Sequence, residues 1–525
     1  MKEKLFLLSL SGASVFLGTI YSIFNTDPHH WGFIVGTAVD FIHGKSLFTE
    51  IYVQYGVGQM ILFKLLSYAI PINYTTVGII TSFAYALNFP ILFACVKRIS
   101  KSTHAILITA LVFLIHPFAI YPWPDYFAGL SISLSCYFLV TAKQDNGHLR
   151  YAQSGVFLFL AFLFRNTYLL SIVTTIILYV CLSSFNKSHK EKPCYPAISV
   201  FLGLFASYYA FLLYQGNAVH WYVQNFGAAL SVHGYGLDSV IRMVYDLVFT
   251  ENLSFSVFLG LLVINSYMII FMYKNADNHS KVLVHPDPWV GIFFCLLGCS
   301  GISQSIHILE IFRLQNAAIP LYLGLSLFLQ TKVFSDLRAN NLSGTNISIG
   351  ILIAILIFRF PFILGGSPNA SAIWPIIPKV LARSIQDSFQ SFAKSDILIF
   401  NLHLFQAAEK KYYEELYAHL CDGKRRIVNL TMDSTVPYLC PGQDNALSLP
   451  FYNYQLLHKI NEREARRVLA GEFLASDVIV TDLPPPLNKD IVLQLIGTIE
   501  RPVGIRWMLP GMVSVFHVQA SSSRK

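Results

Sequence analysis

The feature that most constrains this chain is a succession of apolar runs long enough to cross a bilayer. A spanning helix needs about 20 mostly apolar residues. Such runs fall at 5–24, 76–96, 104–121, 126–142, 151–165, 168–185, 195–214, 253–273, 289–307, 314–330 and 346–364, about eleven in all. Only 34 of the first 364 residues are charged, against 32 of the last 161, so the charged share rises from 9% to 20% at that boundary. Soluble domains are about a quarter charged. The pattern predicts a polytopic α-helical membrane protein over 1–364 and a soluble α/β domain over 365–525. It excludes a disordered chain, a collagen-like chain and a simple soluble enzyme. The net charge of +8 is too diffuse to suggest nucleic acid.

One further apolar run, 57–70, is short, carries Lys64 and is followed by Pro71. Lys and Arg are enriched in cytoplasmic loops, and this decides whether the run crosses. If it does not, fourteen basic residues of the membrane part lie inside, among them Lys97, Arg98, Lys101, Lys187, Lys190 and Lys192, and six lie outside. If it does, every later loop inverts. The run therefore reads as a helix lying against the outer face, within a first outer loop spanning 25–75. The N-terminus is then cytoplasmic and the tail extracytoplasmic. The run 5–24 reads as an uncleaved anchor, since no small-x-small pattern precedes Asn25.

In the tail, β-like runs occur at 427–430, 477–481 and 512–518, and helical stretches at 406–420 and 456–472. Six of the eight cysteines sit in or beside apolar runs, where Cys behaves as a small hydrophobe. Cys421 and Cys440 stand apart in the tail, and two readings stay open for them: a disulfide, or a pair of reduced core residues.

Ionisable groups near a bilayer are costly, and so are candidates for function. The outer face is poor in bases yet holds most of the acids, in aromatic-rich segments such as DPHHWGF, EIYVQYG and YPWPDYF. Asp27 precedes Pro28 and an apolar helical pattern at Trp31, Ile34, Val35, Ala38, Phe41 and Ile42. It reads as an N-cap with Pro at the first helical position, and also as a catalytic carboxylate that the cap holds still. His29 and His30 assist it, ligate a metal with it, or sit among headgroups. Two adjacent His without a spaced partner do not define a metal site, so no metal ligand is assigned and a divalent ion stays an open option. Asp125 follows two prolines in a stiff loop joining two spans, and reads either as an N-cap of the span starting at 126 or as a positioned acid. Arg165 interrupts FLFLAFLFRNTYLL, where a guanidinium either snorkels outward or binds an anion such as phosphate. His307, Glu310 and Arg313 cluster further along, with a Glu310–Arg313 structural pair as the simpler reading.

With these residues in view, the layout resembles the GT-C superfamily of membrane glycosyltransferases, in particular the protein O-mannosyltransferase and aminoarabinose transferase group. The shared points are an acid opening the first outer loop (Asp27), a G-x-x-x-(F/Y) stretch at Gly44–Phe48, a second acid after the third span (Asp125) and a base near the outer end of the fifth (Arg165). Here Asp27 is followed by Pro28 rather than Glu, so a partner carboxylate is sought at Glu50. The resemblance implies a polyprenyl-phosphate sugar donor, a lipid, polysaccharide or protein acceptor, and a bacterial cytoplasmic membrane with a periplasmic tail. It implies Asp27 as general base, Asp125 or Glu50 orienting hydroxyls, and Arg165, Arg313, His307 and His30 around the substrate, with the tail as lid or acceptor platform. Two other classes remain: a transporter or lipid flippase, against which no inverted repeat is found, and an O-antigen ligase or polymerase, whose large outer loop lies between spans.

Overall fold

The fold is taken from a computed structural model. It describes residues 2–24, 27–53, 55–115, 122–142, 147–185, 193–227, 241, 245, 253–275, 287–305, 311–331, 407–440, 443, 466–468, 470–485, 491–502 and 511–519. The first part is helical: α1 (Lys2–Phe24), α2 (Pro28–Ile42), α3 (Val57–Ser67), α4 (Tyr74–Ile99), α5 (Ser102–Ile115), α6 (Asp125–Thr141), α7 (Gly147–Phe164), α8 (Tyr168–Phe185) and α9 (Tyr195–Tyr214). Then come α10 (Ala218–Tyr222) running into a π-helical turn (Val223–Gly227), α11 (Leu253–Asn275), α12 (Pro288–Ser300), a 3₁₀ turn (Gly301–Ser305), α13 (Ile311–Ala317) and α14 (Ile319–Phe328).

Five of these, α1, α4, α8, α9 and α11, are long and apolar enough to cross a membrane, and α3, α5, α6, α12 and α14 are shorter apolar helices. Ten of the expected spans coincide with helices, and the eleventh, 346–364, lies outside the described residues, as does the boundary expected at 364. The α4 helix shows why its end is sharp. Asn73 Oδ1 accepts from Thr76 N at 3.0 Å while Asn73 N donates to Thr76 Oγ1 at 3.0 Å, a reciprocal cap that satisfies two orphan donors. At its other end Lys97 and Arg98 fill the last turn, where positive charge suits the helix dipole.

The α3 helix has only 11 residues, or roughly 16 Å at 1.5 Å per residue, half of what a span requires. Val57, Met60 and Phe63 are buried while Ile61 and Leu65 are exposed. Lys64 Nζ lies over the Phe41 ring, 4.4 Å from its centroid, and donates to Phe41 O at 3.3 Å.

Two expected spans are interrupted. Over 289–307, α12 gives way at Gly301 to the 3₁₀ turn. A Cβ on Gly301 would lie 3.0 Å from Ala317 Cβ and its carbonyl oxygen, so the absent side chain permits a close crossing. Over 314–330, helix stops at Ala317 and restarts at Ile319, with Pro320 in the new first turn. Proline lacks the N–H that an interior position needs and is tolerated at a helix start.

The tail holds α15 (Ala407–Leu420), β1 (Arg426–Asn429), β2 (Asp477–Thr481), β3 (Val492–Arg501) and β4 (Gly511–Gln519) in the order β1-β2-β4-β3. β1 and β2 are parallel, and β4 is antiparallel to β2 and β3. The β3 strand was not foreseen. The helix expected at 456–472 falls mostly outside the described residues, with 466–468 helical. Of the two readings of Cys421 and Cys440, the disulfide is the one formed.

The tail meets the helical part directly. The segment from Thr431 to Tyr438 seats on α2, where Gly32 and Gly36 leave a groove. A Cβ on Gly32 would lie 2.7 Å from Thr435 N, and one on Gly36 only 1.8 Å from the Tyr438 ring. Tyr438 Oη donates to Asp40 Oδ2 at 3.4 Å, and Asp40 also pairs with Lys45 at 2.8 Å. Burial raises the Asp40 pKa above the usual carboxylate value, against the pull of Lys45.

Candidate functional site

Asp27 is the N-cap that its sequence setting suggests, and it is buried. Oδ1 accepts the His30 backbone N–H at 3.1 Å, and Oδ2 lies 2.8 Å from His30 Nδ1. One residue thus fixes both carboxylate oxygens, by its backbone and by its ring. The neighbouring His29 ring is largely removed from water, which lowers its pKa to about 4, with His30 adding to the shift and Asp27 opposing it.

From His30 a chain of aromatic contacts crosses the site. The His30 ring lies 4.9 Å from Trp123, and Trp123 lies 4.9 Å from Tyr55 in an edge arrangement. The Arg165 guanidinium sits over the Tyr55 ring at 4.4 Å, and that of Arg313 sits 5.3 Å from the Trp123 ring centroid. Each ring face is attractive to a cation by its quadrupole. Arg165 Nε stands 3.6 Å from Asp125 Oδ1 and donates to Thr167 Oγ1 at 3.2 Å. Asp27, His30, Asp125, Arg165 and Arg313 are therefore joined through Trp123 and Tyr55.

Local structure explains how Tyr55 reaches Arg165. Gly56 has φ +152°, and a Cβ there would lie 2.3 Å from Leu163 O, so only glycine lets the loop pass the end of α7. Tyr55 O accepts from Asn166 N at 2.7 Å. Further back, Gln224 of the π-helical turn clamps the loop from both sides: Val53 N donates to its Oε1 at 3.0 Å, and its Nε2 donates to Phe48 O at 2.6 Å. Phe48 itself holds a left-handed φ of +69°.

The Asp125–Arg165 pair is buried, at 0% and 2% exposure. Yet neither Asp125 oxygen has a hydrogen-bond donor, and Arg165 Nη1 has no acceptor, among the described residues. Leaving charged groups short of partners inside a protein is costly. The arrangement is suited to a ligand that brings hydroxyl donors to Asp125 and an anion to Arg165.

Glu50 is not part of this cluster. It is exposed, and its Oε2 accepts from Ser46 N at 2.7 Å within its own turn, a bond that lowers its pKa. His307 and Glu310 lie outside the described residues. Among the described residues no three His, Cys, Asp or Glu side chains gather as metal ligands. Tyr55 and Trp123 were not singled out from sequence, although both lie in the quoted aromatic segments. The proline-flanked Trp123, two residues before Asp125, was the available signal.

No protein-family model matches the chain, and no curated protein matches it. The apolar helices followed by a small sheet domain define the fold of a polytopic membrane protein. In particular, the chain is similar to ArnT from Cupriavidus metallidurans. The apo structure of that protein aligns at a TM-score of 0.52, covering 98% of each chain at 12% identity. The same protein bound to undecaprenyl phosphate aligns at 0.51, covering 99% of this chain and 98% of that one at 11% identity.

Proposed function

We propose that this chain is a membrane glycosyltransferase that moves a sugar from a polyprenyl-phosphate donor to an acceptor at the extracytoplasmic face. The observation that carries the reading is the buried Asp125–Arg165 pair, short of hydrogen bonds behind Tyr55 and Trp123. Supporting it, a protein of the same fold binds undecaprenyl phosphate. A lipid-linked sugar suits a site at a bilayer edge, since its tail stays in hydrocarbon while the sugar reaches water.

In this reading the acceptor hydroxyl gives its proton to Asp27 as general base. The freed oxygen attacks the anomeric carbon of the donor sugar. The bond from that carbon to the phosphate oxygen breaks, and its electron pair leaves with polyprenyl phosphate. Arg165, aided by Arg313, offsets the charge growing on that phosphate. Asp125 accepts from a sugar or acceptor hydroxyl and so orients it. A carboxylate has about four lone-pair sites, so accepting the His30 backbone N–H does not by itself bar Asp27 from taking a proton.

The orientation follows the basic-residue count, with the N-terminus cytoplasmic and residues 365–525 forming an extracytoplasmic domain. The Cys421–Cys440 disulfide supports that side, because such bonds persist in oxidising compartments. The test is turnover of polyprenyl-phosphate sugars by the full chain in nanodiscs. Release of polyprenyl phosphate is expected. Release of polyprenyl diphosphate, or movement across the bilayer without bond cleavage, overturns the reading.

A further inference from the structure

The tail segment on α2 does more than cover it. Asn429, Thr431 and Asp433 build a rigid turn: Asn429 Nδ2 donates to Asp433 O at 2.7 Å, Asn429 Oδ1 accepts from Thr431 N at 3.0 Å, and Asp433 Oδ1 accepts from Thr435 N at 2.9 Å. Tyr413 of α15 donates to Asp433 Oδ2 at 3.1 Å and ties the turn to the tail core. The turn presents Thr435 and Ser434 to the first turn of α2. Thr435 Oγ1 donates to Pro28 O at 3.3 Å and accepts from Tyr74 Oη at 2.7 Å. Ser434 Oγ lies 3.4 Å from His29 Nδ1. Thr435, Asp433 and Tyr74 are all at least nine-tenths buried. A single hydroxyl therefore links three elements: the tail turn, the start of α4, and the carbonyl of Pro28, the residue after Asp27.

We propose that Thr435 is a positioning residue for Asp27, so that the tail completes the catalytic corner instead of serving only as a lid or acceptor platform. This rests on the glycosyl-transfer reading above. Asp27 is oriented from within α2 by His30, but α2 itself is a separate short helix of 15 residues. Its first turn is held against the bilayer-side scaffold by the Tyr74–Thr435–Pro28 relay and the close seating at Gly32 and Gly36. Removing the relay hydroxyl leaves the buried Tyr74 phenol and Pro28 carbonyl without this partner and frees the first turn to shift. Displacements of about 1 Å at a reacting group cost up to about a hundredfold in rate.

The test compares Thr435→Val, Thr435→Ser and Tyr74→Phe with the unmodified full chain in nanodiscs, by steady-state turnover and by amide hydrogen exchange over 30–37. Thr435→Val is expected to lower kcat by about tenfold to a hundredfold with donor KM unchanged, and to speed exchange in α2. Thr435→Ser, which keeps the hydroxyl, is expected to restore both. Tyr74→Phe, which breaks the relay from the α4 side without touching the tail, is expected to repeat the effect at smaller size. Unchanged exchange, or faster exchange with unchanged kcat per folded molecule, overturns the proposal. An unmodified chain that releases no polyprenyl phosphate overturns the transfer reading and the catalytic part of this inference with it. The exchange measurement then still decides the docking by itself.

Discussion

The two acids of the site are held in opposite ways. At the Asp27 corner both oxygens are engaged by His30, the helix behind them is capped, and a tail hydroxyl bonds to the carbonyl of the next residue, Pro28. At the Asp125 corner the carboxylate faces Arg165 at 3.6 Å, with no hydrogen-bond donor to either oxygen among the described residues. One corner is finished by the protein alone. The other is left for something else to finish. On the proposed reading, the difference separates a base whose geometry is set before the reaction from groups whose electrostatics substrate would complete.

The sharpest way to break the comparison is to exchange each acid for its amide. Asp27→Asn keeps a good cap, since Asn is as favourable there as Asp, and is expected to lower transfer by about 10²–10⁴-fold with little change in thermal stability. Asp125→Asn removes the only charge within ion-pair reach of a buried guanidinium among the described residues. It is expected to cost about 3–5 kcal/mol of stability, read as a lowered melting temperature in detergent. Equal stability losses in the two variants would erase the distinction.

Next in size is Arg165. Arg165→Gln is expected to lower turnover by about 10²–10³-fold. Arg165→Lys should recover part of it, because an ammonium keeps the charge but not the planar fork. A full recovery would show that charge alone matters at this corner. Smaller again is Tyr55→Leu, which removes the ring beneath Arg165. A cation–π contact is worth about 0.5–2 kcal/mol, so a change of about tenfold in kcat/KM is expected, and none would mean that the ring only fills space.

The smallest effect concerns pH at the docked face. Burial pushes the Asp433 carboxyl up to about 6 from 3.8, against bonds from Thr435 and Tyr413 and the nearby Arg501 charge. The folded chain therefore holds that proton more tightly than the unfolded one, and the stability it lends is present near pH 4 and lost as pH rises to 6. His29 behaves inversely. Its pKa falls to about 4 from 6.5, so the stability linked to it is present above 6.5 and lost as pH drops toward 4. Melting curves between these values should lose the first slope in Asp433→Asn and keep the second.

The sequence exposes the helical part well, because a twenty-residue apolar run has few alternatives in water. It also marks α3 as a short run, and the helix formed there has 11 residues. The break at Gly301 was hidden, since it depends on how closely two helices cross, whereas the restart at Ile319 had a signal in Pro320. The β3 strand was hidden for a different reason: the apolar pairs Val492-Leu493 and Leu495-Ile496 break the alternation, and the register shifts between Leu495 and Gly497. At the site, Asp27, Asp125 and Arg165 could be picked out because charge is rare beside apolar runs. Trp123 and Tyr55 could not, because rings are everywhere in such a chain and only contacts reveal which ones join charged groups. Glu50 drew notice as an acid in an outer loop, yet its turn closes on Ser46 and satisfies it locally. The seat of Thr435 on α2 leaves no local trace at all, as its two halves come from opposite ends of the polypeptide.

That separation has a consequence in time. Pro28 and Thr435 are 407 positions apart, and ribosomes add about 5–20 residues per second, so the brace emerges roughly 20–80 s after the corner it supports. Throughout that interval the newborn N-terminal segment must rest at the bilayer edge without its far-end prop. The last stage of synthesis is what locks it.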